Sequence, residues 1–321
     1  MANDFSLDPR VKALYRFENN LDDSKGGNHL TGSGSVGYNA ADKREGAYAA
    51  DLEQAESDYA YRADGDLDAG FPLKSGDSSK KISVCFWLKP ESYINYSGLF
   101  TKWNWTGNKR SLEIQRQYST LKINCGHTDG VQYQNFNTGI SLNNGEWYHV
   151  AVCIDGKTAK SVYVRVFRAS NSAVSEFKGT LTNELWVGDA KVVVGAIDGP
   201  GSDNYFDGLL DEMVVFNELL SVLEIDAIRT GTYSYPMTEV RVETVGAQVA
   251  YTDQDGFVRV DATGFMAAYG LFAEIGEVQV NAGGLMVAYG VAPPPRRVFP
   301  VPHPRVKWQS HFGKRKFPVM G

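Results

Sequence analysis

The sequence has few cysteines, no long apolar run and no segment that resembles a targeting signal. No stretch of about 18 apolar residues occurs, which excludes a membrane-spanning helix. The first residues form neither a basic nor an apolar segment, so we expect no signal peptide. The three cysteines, Cys85, Cys125 and Cys153, all lie in strand-like runs. An odd number without a secretory signal favours buried free thiols over disulfide bonds.

Motifs for several kinds of chemistry are also missing. No Cys/His spacing resembles a zinc site, and no Ser or Cys stands in a nucleophile motif. Acidic residues are absent from the last 30 positions, 292–321, which contain seven Lys or Arg although the whole chain has a net charge of −6. A short basic segment on an acidic chain predicts contact with a partner.

Short apolar runs that alternate with polar residues are the dominant pattern that is present. Val11 to Phe17, Ile82 to Leu88 and Ser161 to Phe167 alternate in this way, and turn residues separate such runs about every ten positions. Alternation turns one face of each strand toward a core. With 43% hydrophobic residues, the pattern predicts a globular β-sandwich.

The stretch from Val194 to Ile225 is the most informative. It contains an apolar strand, a loop rich in Gly, Asp and Asn, a second apolar strand that ends at Phe216, and a short predicted helix from Val222 to Arg229. The order aromatic-x-Gly-x-Leu-Asp-Glu, followed by Val-Phe-Asn-x-x-Leu-Ser, resembles the closing strand of laminin-G-like (concanavalin A-like) jelly-roll domains.

Three further segments resemble strands of the same family. They are a Tyr-x-Phe strand followed by an Asn/Asp/Ser/Gly turn at 15–28, a Ser-x-x-x-Trp-x-x-Pro strand at 83–90, and a Gly-x-Trp-x-His-Val-Ala strand at 145–151. The resemblance covers about residues 11–229. It implies an all-β fold, an antiparallel two-sheet jelly-roll sandwich.

The composition divides the chain into four parts. Residues 1–10 are predicted to be a loose leader, 11–232 the jelly-roll domain, 233–291 a repetitive β-rich region, and 292–321 an extended, proline-rich basic arm. The repetitive region holds three copies of a strand–glycine–strand pattern, each too small to bury a core alone. We therefore expect the repeats to form an oligomerisation stalk, with a homotrimer as the preferred form. The repeats resemble those near the C-termini of tailed-phage virion proteins.

The arm is predicted to dock onto another protein. Its prolines favour a stiff, extended chain that cannot fold alone, and its apolar residues suit anchoring. Binding to nucleic acid phosphates is the alternative, which the interleaved prolines and apolar residues disfavour. The anchoring residues that we predict are Arg296, Arg297, Phe299, Trp308, Phe312 and Phe317.

The family resemblance implies a calcium site. Members often hold one Ca²⁺ between the turn after the first strand and the last strand, with carboxylate and carbonyl oxygens as ligands. The matching positions are Asp22, Asp23 and Asp211. The alternative is that Asp22 and Asp23 cap a turn and that Asp211 accepts hydrogen bonds from backbone amides.

Two loops carry residues suited to sugars. Aromatic rings stack on sugar faces and amides pair with hydroxyl groups, and two tryptophans in a polar hairpin are costly to expose without a ligand. The alternative is that these tryptophans pack on the sheet or on a partner subunit. The candidate residues are Trp103, Asn104, Trp105, Asn108, Tyr133 and Asn135.

Glycoside hydrolases share this fold and need two carboxylates around the scissile bond. Glu224 and Asp226 partly match a hydrolase Glu-x-Asp-x-x-Glu motif, but Arg229 stands in place of the final Glu, and the segment is predicted to be a helix. His149 lies beside Trp147 in a strand and is predicted to be a core or rim residue. We therefore expect no enzymatic activity, with a glycan-depolymerising hydrolase as the alternative.

Together these features predict a structural or decoration protein of a phage virion, at the head or as a tail fibre. A lectin-like domain would bind host-surface glycans, the repeats would form a stalk, and the arm would anchor the chain to other virion proteins. We expect assembly in the host cytoplasm, no cofactor other than a structural Ca²⁺, and no contact with membranes or nucleic acid.

Overall fold

A computed structural model describes residues 3–127, 129–198 and 204–235, together with the backbone of several strands between 241 and 309. The chain forms two compact units, Met1–Tyr235 and Pro236–Gly321. Among the described residues, no helix is long and apolar enough to cross a membrane.

The first unit is built almost entirely of strands. One α-helix, α1 (Val222–Thr230), follows the last strand, and short 3₁₀ turns lie at Gln54–Glu56 and Asp64–Asp66. The strands are β1 (Val11–Tyr15), β2 (Thr31–Ser33), β3 (Gly37–Asn39), β4 (Ala49–Leu52), β5 (Tyr59–Arg62), β6 (Lys81–Pro90), β7 (Ser97–Asn104), β8 (Lys109–Gln117), β9 (Thr120–Gly126), β10 (Tyr133–Ser141), β11 (Tyr148–Asp155), β12 (Ser161–Arg168), β13 (Ala173–Thr180), β14 (Val192–Val194) and β15 (Gly208–Phe216).

Two antiparallel sheets make up this unit. The back sheet has the order β13-β12-β11-β6-β15-β4-β3, with β1 also paired to β15. The front sheet has the order β10-β9-β8-β7-β14-β5-β2. Strands distant in sequence are neighbours in both sheets, as in Greek-key sandwiches. This arrangement confirms the predicted antiparallel jelly-roll sandwich.

The main core lies between the two sheets because their alternating apolar residues face one another. Phe86, Val150 and Leu210 of the back sheet belong to the same buried cluster as Phe100 and Ile114 of the front sheet. In β7 and β8, these core residues alternate with side chains that point to the outer face of the front sheet.

Helix α1 covers a second apolar cluster on the back sheet. Ile225 and Ile228 of the helix pack with Val214 and Phe216 of β15. The helix begins with a capping box between Ser221 and Glu224 and ends at a glycine with φ 71°. Every residue of β15 is buried, because the main core covers one face of this strand and the second cluster covers the other.

Residues 3–10, predicted to be a loose leader, pack against this second cluster. The ring of Phe5 lies 5.1 Å from that of Tyr233, and Asn3 donates a hydrogen bond of 2.8 Å to the Ile228 carbonyl. Asp8 is buried and accepts hydrogen bonds from Arg10 and from the Tyr233 hydroxyl. The sequence pattern did not indicate this packing because its partners lie more than 200 residues away.

The second unit contains β16 (Arg241–Thr244), β17 (Tyr251–Thr252), β18 (Phe257–Thr263), β19 (Met266–Gly270), β20 (Glu277–Gly283), β21 (Met286–Gly290) and β22 (Lys307–Gln309). Strands β18 and β20 pair in parallel, as do β19 and β21, and every partner is offset by 20 residues. The offset equals the spacing of the second and third sequence repeats, so equivalent positions lie side by side. Among the predicted anchoring residues, Trp308 lies in β22, which pairs with β20, and the others lie outside the described residues.

Candidate carbohydrate-binding site

Three aromatic rings meet at one end of the front sheet. Trp103 is the penultimate residue of β7, Trp105 follows in the β7–β8 hairpin, and Tyr133 begins β10. The ring centroids are 5.5 Å apart for Trp103 and Trp105, 5.3 Å for Trp103 and Tyr133, and 5.7 Å for Trp105 and Tyr133. All three pairs are edge-to-face, a favourable geometry for aromatic rings. We call these three residues the aromatic cluster.

The members of the aromatic cluster differ in exposure. Trp103 is fully buried, whereas Trp105 is 39% exposed and Tyr133 is 40% exposed. The indole N–H of Trp103 has no hydrogen-bond partner among the described residues. Trp103 therefore supports the two exposed rings, and the surface offered to a ligand comes from Trp105 and Tyr133.

Arg110 holds the hairpin in place. Its guanidinium lies over the Trp105 ring, 4.6 Å from the centroid. The same group donates hydrogen bonds to the carbonyls of Trp105 and Val131, which links the hairpin to the segment before β10. These contacts restrict Trp105 before any ligand binds. Sequence reasoning did not select Arg110, because its pairing depends on a register shift beside Trp103.

The predicted amide residues have different roles. Asn104 donates to Asp198 at 2.9 Å and accepts from the Thr106 amide, so both ends of its side chain are engaged within the loop. Asn108 is exposed in the hairpin turn, with φ 59°. Asn135 is exposed on β10, two residues beyond Tyr133 and on the same face. Of these amides, Asn135 therefore lies beside the aromatic cluster, whereas both ends of the Asn104 side chain are already hydrogen-bonded within the loop.

A polar row lies beside the aromatic cluster on the outer face of the front sheet. Thr101, Glu113, Asn124 and Asn135 are direct partners across β7, β8, β9 and β10, so they share one face. Asn135 donates to the carbonyl oxygen of Asn124, and Asn124 donates to Glu113 at 2.7 Å. Burial raises the pKa of Glu113 to about 7, partly opposed by the Asn124 hydrogen bond.

The predicted calcium ligands do not form one cluster. Asp23 is buried and accepts hydrogen bonds from the amides of Leu14, Lys25 and Asn28, which is the alternative turn-capping role. Asp22 lies on the surface, 3.4 Å from the His29 ring. These two side chains therefore have roles within the turn itself. Of the three predicted ligands, Asp211 is the one that remains a candidate for binding an ion.

Asp211 is the candidate ligand that keeps a free acceptor. It is fully buried; one carboxylate oxygen accepts from the amides of Arg44 and Glu45 at 2.7 and 3.0 Å, and the other has no partner among the described residues. Burial raises the pKa of Asp211 to about 7. The orphaned oxygen would suit a cation, so calcium at Asp211 stays a prediction.

A different acidic group comes closer together. Carboxylate oxygens of Asp51, Glu53 and Glu91 all lie within 4.8 Å of one another, the one set of this kind among the described residues. Burial, followed by repulsion from neighbouring acids, raises the pKa of Glu53 and of Glu91. Because Glu53 and Glu91 are exposed, an ordinary solvated acidic patch would have the same arrangement.

The sequence of residues 64–226 matches the family model of the concanavalin A-like lectin/glucanases superfamily. The chain belongs to this superfamily. For residues 64–226 the match confirms the resemblance inferred from the strand motifs, and the motif at 15–28 lies outside the matched residues. No curated protein sequence matches the chain significantly.

Several solved structures are similar to this superfamily member in fold. One is the binding domain of botulinum neurotoxin DC in complex with SialylT, with 11% identity, a TM-score of 0.49 and coverage of 71% of this chain and 52% of that chain. Another is the enzymatically active domain of tailspike protein 2 of bacteriophage CBA120, with 13% identity, a TM-score of 0.44 and coverage of 64% and 31%. The CBM40 module of a Ruminococcus gnavus sialidase bound to α2,3-sialyllactose has 17% identity, a TM-score of 0.38 and coverage of 46% and 81%. This chain thus spans about half the length of the first of these structures.

Glucanases of the superfamily need a carboxylate pair, and the sequence candidates for it have other contacts here. Glu224 caps helix α1 and pairs with Arg10 at 2.7 Å. Asp226 pairs with Arg165 at 2.7 Å. His149 is buried beside Trp87, and burial, assisted by nearby arginines, lowers its pKa to about 3.

Proposed function

We propose that the jelly-roll domain is a carbohydrate-binding domain that takes a sugar against the aromatic cluster. The observation that carries this proposal is the pair of half-exposed rings, Trp105 and Tyr133, held edge-to-face on the buried Trp103. Exposed aromatic surface of this kind costs solvation free energy unless a ligand covers it. Sugar rings present an apolar C–H face to such side chains and hydroxyl groups to neighbouring amides.

The rigidity of the cluster supports the same function. Arg110 stacks on Trp105 and donates hydrogen bonds to the backbone carbonyls of Trp105 and Val131, so little side-chain entropy remains to be lost on binding. Asn135 lies two residues from Tyr133 on the same face of β10 and provides hydrogen-bonding capacity at the edge of the cluster.

The test is binding to a panel of lactose, α2,3-sialyllactose, cellohexaose, chitohexaose and purified bacterial lipopolysaccharides. Covering one such ring contributes about 1.5–3 kcal/mol, so Trp105→Ala or Tyr133→Ala should weaken binding at least about tenfold. Tyr96→Ala is the matched control, because Tyr96 is 41% exposed in a loop outside the cluster. Equal losses in all three variants, or no binding by the wild-type chain to any member of the panel, would reject the proposal.

The proposed activity is binding without turnover. Glu113 is the one carboxyl among the described side chains of β7–β10 on this outer face, whereas glycoside hydrolysis uses two. Glu224 and Asp226 serve helix α1 and its ion pairs. These contacts support a lectin-like domain over a depolymerase.

We further propose that the chain is a phage virion protein that oligomerises through its repeats and is anchored by residues 292–321. The support is the basic, acid-free composition of the arm and the in-register pairing of β18 with β20 and of β19 with β21. Deleting residues 293–321 should abolish incorporation into particles and leave a soluble oligomer, measured by particle sedimentation and light scattering. Normal incorporation would defeat the anchoring role, and a monomeric mass would defeat the role of the repeats.

A further inference from the structure

Glu113 is a buried carboxyl that forms no ion pair with any described residue. It is 1% exposed, and its side chain points away from the core because Leu112 and Ile114 on either side belong to the core cluster. Its hydrogen bond among described residues comes from the Asn124 amide. Burying a carboxylate with a single hydrogen bond lowers the stability of the fold. This cost favours a function of Glu113 in ligand binding.

The role follows from the direction of the hydrogen bonds in the polar row. An ionised carboxylate can only accept hydrogen bonds, so the NH₂ group of Asn124 must face Glu113. The carbonyl oxygen of Asn124 then faces β10, where it accepts from the NH₂ group of Asn135. As a result, the carbonyl oxygen of Asn135 is turned away from the row, on the exposed side next to Tyr133.

We propose that Glu113 is a positioning residue that fixes the orientation of the Asn124 and Asn135 amides, so that Asn135 offers a hydrogen-bond acceptor to a donating hydroxyl of the sugar bound at the aromatic cluster. This inference rests on the proposed carbohydrate-binding function. It names the feature of the ligand that the site selects: a free hydroxyl next to the ring that stacks on Tyr133. A sugar with a substituted hydroxyl or an acceptor at that position is rejected, because two acceptors then face each other without a proton.

Protonation provides a way to release this constraint. A protonated carboxyl can donate to the Asn124 carbonyl oxygen, which permits both amides to turn over. Because burial raises the pKa of Glu113 to about 7, the change falls between pH 6 and pH 8. Of the charged groups around this face, Lys122 points outward from β9 between the core residues Leu121 and Ile123, and the others are Arg110, Lys191 and Asp198. Arg110 stacks on Trp105, and Lys191 pairs with Asp198 at 3.2 Å.

The first experiment needs no sugar. In NMR spectra of the full chain, the side-chain NH₂ resonances of Asn124 and Asn135 should both shift with one apparent pKa, that of Glu113, between pH 5.5 and pH 8.5. In Glu113→Gln, whose amide can either donate or accept, these shifts should disappear while the thermal melting curve and the backbone spectrum show a folded protein. Asn resonances that do not follow the titration of Glu113 would overturn the proposal.

The second experiment measures binding of the panel sugars against pH. If both amide orientations are equally populated in the protonated form, half of the molecules are competent, and wild-type binding should be about twofold weaker at pH 5.5 than at pH 8.5. Glu113→Gln should bind about twofold more weakly than the wild-type chain at pH 8.5 and show no pH dependence. A pH profile that survives in Glu113→Gln would overturn the positioning role. Absence of wild-type binding to every panel sugar would reject the carbohydrate-binding function, and the NMR titration would still decide the amide orientation.

Discussion

Replacement of the buried Lys102 provides a direct test of the packing at one end of the sandwich. The Lys102 ammonium lies 2.6 Å from a carboxylate oxygen of Asp64, 2.7 Å from the Gly188 carbonyl and 2.6 Å from the Ala190 carbonyl. The Lys102 side chain is 1% exposed and that of Asp64 is 7% exposed. Burial lowers the pKa of Lys102, partly opposed by Asp64.

Lys102→Met keeps the length of the side chain but leaves the Asp64 carboxylate buried without its cation. Breaking a buried ion pair from one side costs about 3–5 kcal/mol, because the remaining charge is uncompensated. For a domain of this size, each kcal/mol lowers the melting temperature by about 2–4 °C. We therefore expect a decrease of roughly 6–20 °C.

The assay is thermal and urea unfolding followed by circular dichroism, with Lys109→Met as the matched control. Lys109 pairs with Asp189 at 2.9 Å, but the two side chains are 38% and 59% exposed, so its loss should cost at most about 1 kcal/mol. Asp64→Asn combined with Lys102→Met should be less destabilised than Lys102→Met alone, since no buried charge remains. If Lys102→Met is no more destabilised than Lys109→Met, the reasoning about the buried pair is wrong.

Three further outcomes are expected. Glu113 holds a proton in the folded state up to about pH 7, whereas an unfolded Glu loses it near pH 4.3. The contribution of Glu113 to stability is therefore fully present below about pH 4.3 and is lost as the pH rises to about 7. Glu113→Gln should remove on the order of 3 kcal/mol of this pH dependence in urea titrations, and an unchanged profile would contradict the assignment. If calcium binds at Asp211, excess Ca²⁺ should raise the melting temperature relative to chelator in the wild-type chain but not in Asp211→Asn, and equal melting with and without Ca²⁺ would exclude the site. No reducing sugar should be released from the panel polysaccharides, and turnover that disappears in Glu224→Gln would restore the hydrolase alternative.

The alternation of apolar and polar residues determined most of the fold. It placed Phe86 and Val150 in strands with one face in a core, and the family-like motifs around Gly208 and Trp147 assigned those strands to a jelly-roll sandwich. These signals are local, with a period of two residues, and therefore visible in the sequence. The same local chemistry identified Trp105, Tyr133 and Asn135 as candidates for binding a sugar.

Only the tertiary structure decided which of these candidates meet and which groups are buried around them. Asn104 is engaged by Asp198, 94 residues away. Trp103 is buried against Trp105 of the same hairpin and against Tyr133 of β10. The strand pattern places Glu113 on the outer face, but its burial and its link to Asn135 depend on the register of three strands. Register and covering contacts are long-range properties, set by how the sheets close on each other, and so a single sequence does not reveal them.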